Sequence, residues 1–273
     1  MNALQPGAAP VLTVDGITLR FGGLTVFEHV SLQVRGGELL ALIGPNGAGK
    51  TSVLNCVSGI YRLTAGSIEL AGQTLLGLAP HRIAALGIAR TFQHAELFAD
   101  MTVTENLLVG RHALIDTRLW HDAWFAGRAR SAEIAHREAV EEVIEFVELE
   151  RVRHEAVRNL SFAQQKVVGF ARALAMQPKV LLLDEPSAGL NREAKENLAR
   201  FILRIRHQLG IPMIWVEHDM QMVADLADRI CALNYGRVIT EGSPQQVLND
   251  PRVIEAYLGR RKSGSDSATA DPP

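Results

Sequence analysis

Residues 37–51, GELLALIGPNGAGKT, constrain this chain more than any other stretch. The unbroken apolar run Leu39 to Ile43 ends on a glycine, which reads as a buried parallel strand feeding a turn. Glycines 44, 47 and 49 let the backbone turn so that amide N–H groups point inward, and a helix predicted to begin near Lys50 adds its positive end. A polyphosphate fits such a cradle. The eight residues Gly44, Pro45, Asn46, Gly47, Ala48, Gly49, Lys50 and Thr51 satisfy G-x-x-x-x-G-K-[ST] between the right flanking elements, which counts against a chance glycine-rich turn. Lys50 would then supply a point charge to the β and γ phosphates, and the Thr51 hydroxyl can coordinate magnesium.

Further along, VLLLDEP places Asp184 and Glu185 at the exit of an apolar strand, where open parallel sheets hold their ligands. Two adjacent carboxylates suit two tasks. Asp184 would hold magnesium through water, and Glu185 would orient or deprotonate an attacking water. A solvated strand end followed by a helix cap is the plainer reading, and the phosphate loop weakens it. IPMIWVEHD brings His218 to the end of a later strand, within reach of a γ-phosphate in this topology. Gln93, in RTFQHAEL, carries a neutral amide that can contact magnesium and water and release them; alone it would pass for a surface loop residue.

The remainder supports one α/β body with a helical insertion. Val11 to Val34 alternates apolar and polar residues in two runs broken at Gly22 and Gly23, as antiparallel strands do. Gly66 to Leu70 reads as a strand and Pro80 to Gly87 as a short helix. From about Val103 to Val157 the pattern is helical, with Val140, Val143, Ile144 and Val147 on one face. From Val167 onward helices and strands alternate again, as in a parallel α/β sheet, with REAKENLARFILRIRHQL expected as one helix. The closing SGSDSATADPP is small and polar and is expected to be disordered.

Composition sets outer bounds. With 28 Lys and Arg against 30 Asp and Glu, the net charge of −2 gives no basic field for a nucleic-acid backbone. Cys56 and Cys231 are far apart and form neither a disulfide framework nor a zinc spacing, which fits a reducing compartment. MNALQPGAAP carries no signal-peptide pattern, so the chain is expected to stay inside. Its apolar runs are too short to span a hydrocarbon layer of roughly 30 Å, so any membrane role is expected to be peripheral.

GPNGAGKT, TFQ, LSFAQQ, VLLLDEP and VEHD, in this order and spacing, resemble the ATP-binding cassette (ABC) family from Val11 to Gly259. The resemblance implies an α/β P-loop NTPase fold with a RecA-like parallel sheet core, an antiparallel β subdomain, and a helical subdomain at about 96–165. It implies a domain of residues 11–259 between a flexible segment 1–10 and a tail 260–273. It implies ATP and magnesium as ligands, the metal held by Thr51, Gln93 and Asp184, with Glu185, His218 and Gln93 catalytic. Phe21 would stack on adenine, although core packing is the ordinary reading of a strand phenylalanine. Two cassettes would pair head to tail, so that Ser161, Ala163 and Gln164 of LSFAQ act on the partner's ATP. Ser161 also reads as a helix N-cap, and the two roles are compatible.

The chain departs from the family pattern at Ala163, where glycine is usual, at Val167, where a basic residue is usual, and at Gly169, where an acidic one is. The Ala163 methyl group is expected to crowd a backbone that must approach the γ-phosphate, weakening the site this segment completes. RTFQHAELFADMTVTENLLVG, DEPSAGLN and EGSPQQVLNDPRVIEAYLG resemble, more closely, the larger cassette subunits of bacterial branched-chain amino acid uptake. Partners implied are a second cassette, identical or not, two membrane permease subunits and a periplasmic substrate-binding protein, with the chain on the cytoplasmic face of the membrane. Similar cassettes serve urea or amide uptake and lipopolysaccharide export. A non-transport ABC ATPase and a non-catalytic regulator are the readings from other classes. The cluster Leu119, Trp120, Trp124 and Phe125 would fill the helical core or dock a permease helix.

Overall fold

The computed structural model describes residues 9–91, 96–114 and 126–262. The expectations for Gln93, for Leu119, Trp120, Trp124 and Phe125, and for most of the two termini fall on residues outside that set. Two units make up the chain, one from residues 1–77 with 212–273 and one from residues 78–211.

In the first unit, β1 (Leu12–Phe21) and β2 (Leu24–Val34) form the expected antiparallel hairpin, turning at Gly22 and Gly23. β4 (Ala65–Leu70) pairs antiparallel with the other edge of β1, and β5 (Gln73–Thr74) closes a sheet of order β2-β1-β4-β5. Alternation buries one face: Leu12, Val14, Val30, Leu32, Ile68 and Leu70 are all at most 3% exposed. β3 (Leu39–Ile43) has no such alternation, and all five of its residues are buried. It is flanked on both sides by parallel strands, β8 (Met213–Val216) and β9 (Arg229–Asn234), so neither face nor edge meets water. β9 returns as β10 (Arg237–Gly242) through Tyr235 and Gly236, both at positive φ, a turn whose twist suits a two-residue hairpin. Helices α1 (Lys50–Val57), α7 (Met220–Leu226), α8 (Pro244–Leu248) and α9 (Pro251–Lys262) complete the unit.

The second unit holds two parallel strands, β6 (Ile88–Thr91) and β7 (Val180–Asp184), in register from Ile88 with Val180 to Thr91 with Leu183. α2 (Pro80–Leu86) precedes them with proline at its start, where the missing N–H costs nothing. α3 (Val103–Gly110), α4 (Ala126–Phe146) and α5 (Phe162–Leu174) provide the helical part. Of the apolar face expected on α4 and its continuation, Val140, Ile144 and Val147 are buried, while Val143 is half-buried at the border of the stripe. The helix expected over 192–209 is regular only as α6 (Arg192–Arg204); Ile205–Leu209 widens into a π-turn that ends at Gly210. At the change, the Arg204 guanidinium lies 4.4 Å from the Phe146 ring centroid and donates to the Phe146 carbonyl at 2.8 Å.

Candidate functional site

Gly44 leaves β3 at φ 150°, and a Cβ built on it would stand 2.1 Å from the Leu233 carbonyl oxygen of neighbouring β9. No side chain fits there. Gly47 and Gly49 also have positive φ, 82° and 101°, and Gly49 caps α1 without a side-chain hydrogen bond. Gly49 offers no side chain to the first N–H groups of α1, a helix start of the kind that suits an anion. Lys50 is 5% exposed, and its ammonium donates to the carbonyls of Gly44 at 2.8 Å and Pro45 at 3.1 Å. The sequence has thus folded its cation back over its own loop. From behind, the Ala48 carbonyl accepts the Gly236 N–H at 3.2 Å, which fixes the loop to the β9–β10 turn. Pro45 is half-buried, while Asn46, Gly47 and Thr51 are exposed.

β3 and β8 run parallel, with Leu42 beside Val216, so the phosphate loop and His218 leave the sheet at the same edge. His218 is exposed. Its backbone N–H donates to a carboxylate oxygen of Glu217 at 2.8 Å, and the Asp219 N–H donates to the same oxygen at 3.3 Å. Glu217 is 3% exposed, and its other oxygen meets no hydrogen-bond donor among the described residues. Sequence reading passed over this carboxylate, which holds the turn that presents His218. Phe21 is 50% exposed and meets Tyr61 edge-on, with ring centroids 5.2 Å apart. It is not a core residue, and its ring is available for stacking.

In the second unit, Asp184 ends β7 and is 4% exposed. Arg90 of β6 donates to its Oδ2 at 2.7 Å, both side chains being nearly fully buried. Arg90 was also missed, although an arginine inside the strand run IART carries its own signal: a buried cation demands a carboxylate. Glu185 follows at φ 47°, a left-handed conformation unfavourable for a non-glycine residue, and its carbonyl accepts the Ala188 N–H at 3.1 Å. Strain of this kind collects at functional turns.

Ser161 caps α5 as expected. Its hydroxyl accepts the Gln164 N–H at 3.3 Å while the Gln164 side-chain oxygen accepts the Ser161 N–H at 3.0 Å. The two residues expected to reach a partner's nucleotide therefore hold one another in a capping box, with Ala163 between them. Phe162 beside them is 56% exposed, with the Lys166 ammonium 5.6 Å from its ring centroid.

The structure thus brings the phosphate loop, Phe21 and His218 into the first unit, and Asp184, Glu185, Ser161, Ala163 and Gln164 into the second. Among the described residues no cluster of three His, Cys, Asp or Glu forms a metal cage.

The family model "ABC transporter" matches residues 27–188, and "Branched-chain amino acid ATP-binding cassette transporter" matches residues 237–263. The chain is 41% identical over 256 residues to the high-affinity branched-chain amino acid transport ATP-binding protein LivG of Escherichia coli K12, covering 92% of this chain and 98% of the relative. It is 38% identical over 250 residues to the BraF protein of the same description from Pseudomonas aeruginosa, again covering 92% and 98%. The ADP conformation of MJ1267, an ATP-binding cassette of an ABC transporter, superposes with a TM-score of 0.81 at 28% identity, covering 92% of this chain and all of that one. With that agreement from sequence and fold alike, this chain belongs to the ABC transporter family, as an ATP-binding cassette with the P-loop NTPase fold.

Proposed function

We propose that this chain is the ATP-hydrolysing subunit of a bacterial importer of branched-chain amino acids. The observation that carries the ATPase reading is the buried Lys50 ammonium folded over a glycine loop that admits no side chain at position 44. The named relatives and the C-terminal match at 237–263 support the substrate class.

The loop N–H groups and Lys50 bind the phosphates, and Phe21 stacks on the adenine. Thr51, Gln93 and, through water, Asp184 would hold magnesium, which would supply positive charge to offset that of the phosphates. Glu185 orients or deprotonates the attacking water, and His218 contacts the γ-phosphate, its turn held by Glu217. Ser161, Ala163 and Gln164 act on the ATP of a second cassette. Residues 11–259 are the cassette domain, with the helices of about 96–165 as its inserted subdomain. Among the described residues no helix is long and apolar enough to cross a membrane. In this reading the chain is a peripheral subunit on the cytoplasmic face, docked on two permease subunits that receive amino acid from a periplasmic binding protein.

Reconstitution with these partners in vesicles tests the reading. Magnesium–ATP should drive leucine uptake, and Lys50→Ala or Glu185→Gln should each cut ATP turnover by about a hundredfold or more. Uptake that survives either substitution overturns it, and uptake of urea in place of leucine overturns the substrate class alone.

A further inference from the structure

A cavity of about 210 Å³, room for a small ligand only, lies within the second unit between α5, α6 and the segment after α4. Its walls are largely apolar, from Val147, Leu149, Phe170, Leu198 and Phe201. Two of the chain's departures from the family pattern open onto it: Val167 presents an isopropyl group in place of a basic side chain, and Gly169 presents nothing in place of an acidic one.

The charged lining is one-sided. Arg90, Lys166, Arg172 and Arg200 face the cavity against the single carboxylate of Glu148. Arg90 is ion-paired with Asp184 and Arg200 with Glu148, at 2.7 and 2.8 Å. Arg172 donates to a neutral acceptor, the Glu96 carbonyl, at 2.6 Å, a bond that uses one of the five N–H donors of its guanidinium. Burial pushes the Arg172 pKa down, opposed by the Glu96 charge, so this cation gains from an anion brought beside it.

We propose that this cavity is a binding site for a small apolar monocarboxylate. The carboxylate engages the Arg172 fork, and the hydrocarbon lies against Phe170, Leu198 and Phe201. A multiply charged phosphate suits the site less well, because its desolvation would be set against mostly hydrocarbon walls. An α-amino acid is disfavoured by the cationic lining, which repels its ammonium. Ala163 and Gln164, assigned above to the ATP machinery, line the same space, as does Arg90, the ion-pair partner of Asp184.

Calorimetric titration of the full chain tests the site, with hexanoate as probe and hexanol and leucine as controls. Hexanoate should bind about tenfold tighter than hexanol or leucine. Ala194→Phe, which fills the cavity from α6, should weaken hexanoate by about tenfold or more, with the thermal midpoint reporting that the variant folds. Val167→Phe fills it from the facing helix and reads the same quantity should the first variant fail to fold. No hexanoate binding, equal binding of hexanol, or unchanged affinity in a folded filled variant overturns the proposal.

Discussion

Gly44 and Gly47 share a motif and a positive φ, yet their surroundings separate them. At Gly44 an added Cβ collides with the Leu233 carbonyl, whereas at Gly47 nothing lies within 4 Å. Gly44→Ala should therefore destabilise the chain by about 3 kcal/mol or more, combining backbone strain with a clash that β9 must move to relieve. Gly47→Ala should cost only the left-handed backbone penalty, about 1–2 kcal/mol. Denaturant unfolding of the two variants checks the contrast, and equal losses would refute it. The need for glycine at both positions is legible in the sequence. The reason at Gly44 is not, because Leu233 lies on a strand far along the chain and only the parallel pairing of β3 with β9 brings its carbonyl there. Arg90 and Glu217 escaped for the same reason: a lone charge in a strand run shows that a partner or a task must exist, and tertiary pairing decides which.

Among the elements, the start of α5 couples stability to function. Ser161→Ala removes the hydroxyl that accepts the Gln164 N–H and should cost about 1 kcal/mol, readable in a thermal or denaturant transition. Ala163→Gly, by contrast, should raise the ATPase rate of the assembled complex by relieving the methyl group beside the nucleotide, and an unchanged rate would remove that idea. The strand ends of the first unit are tied by Arg229, which donates to Glu38 at 2.7 Å and also pairs with Glu241 and the Gln33 carbonyl. Glu38 is 3% exposed, so Arg229→Ala leaves a buried carboxylate without its cation. The expected loss is about 3–5 kcal/mol of unfolding free energy. A loss under about 1 kcal/mol would show that the pair is solvated in practice. Periodicity located these elements well where one face is buried, as in β1, β2 and α4. It failed at the end of α6, where Ile205–Leu209 turns π-helical although its apolar spacing reads as continued α-helix.

On the scale of the molecule, both thiols report on global opening. Burial pushes Cys56 and Cys231 up to about 12, since the low-dielectric surroundings disfavour the thiolate. Both folded values lie above that of an unfolded cysteine, about 8.5. The stabilisation from keeping the thiols neutral is therefore whole below that pH and declines as pH rises toward 12. Maleimide labelling of the native protein at neutral pH should be slow and should accelerate with denaturant along the unfolding curve; rapid native labelling would contradict the burial. What the sequence determined by itself was local chemistry: a glycine loop between a strand and a helix, two carboxylates and a histidine at strand exits, and a serine that caps its helix, because each follows from neighbours within a few residues. The tertiary structure alone decided that Gly44 admits no Cβ, that Asp184 is paired with Arg90, and that Val167 and Gly169 open onto a cationic cavity. Each of those facts depends on residues distant in the chain, and only packing sets their distance in space.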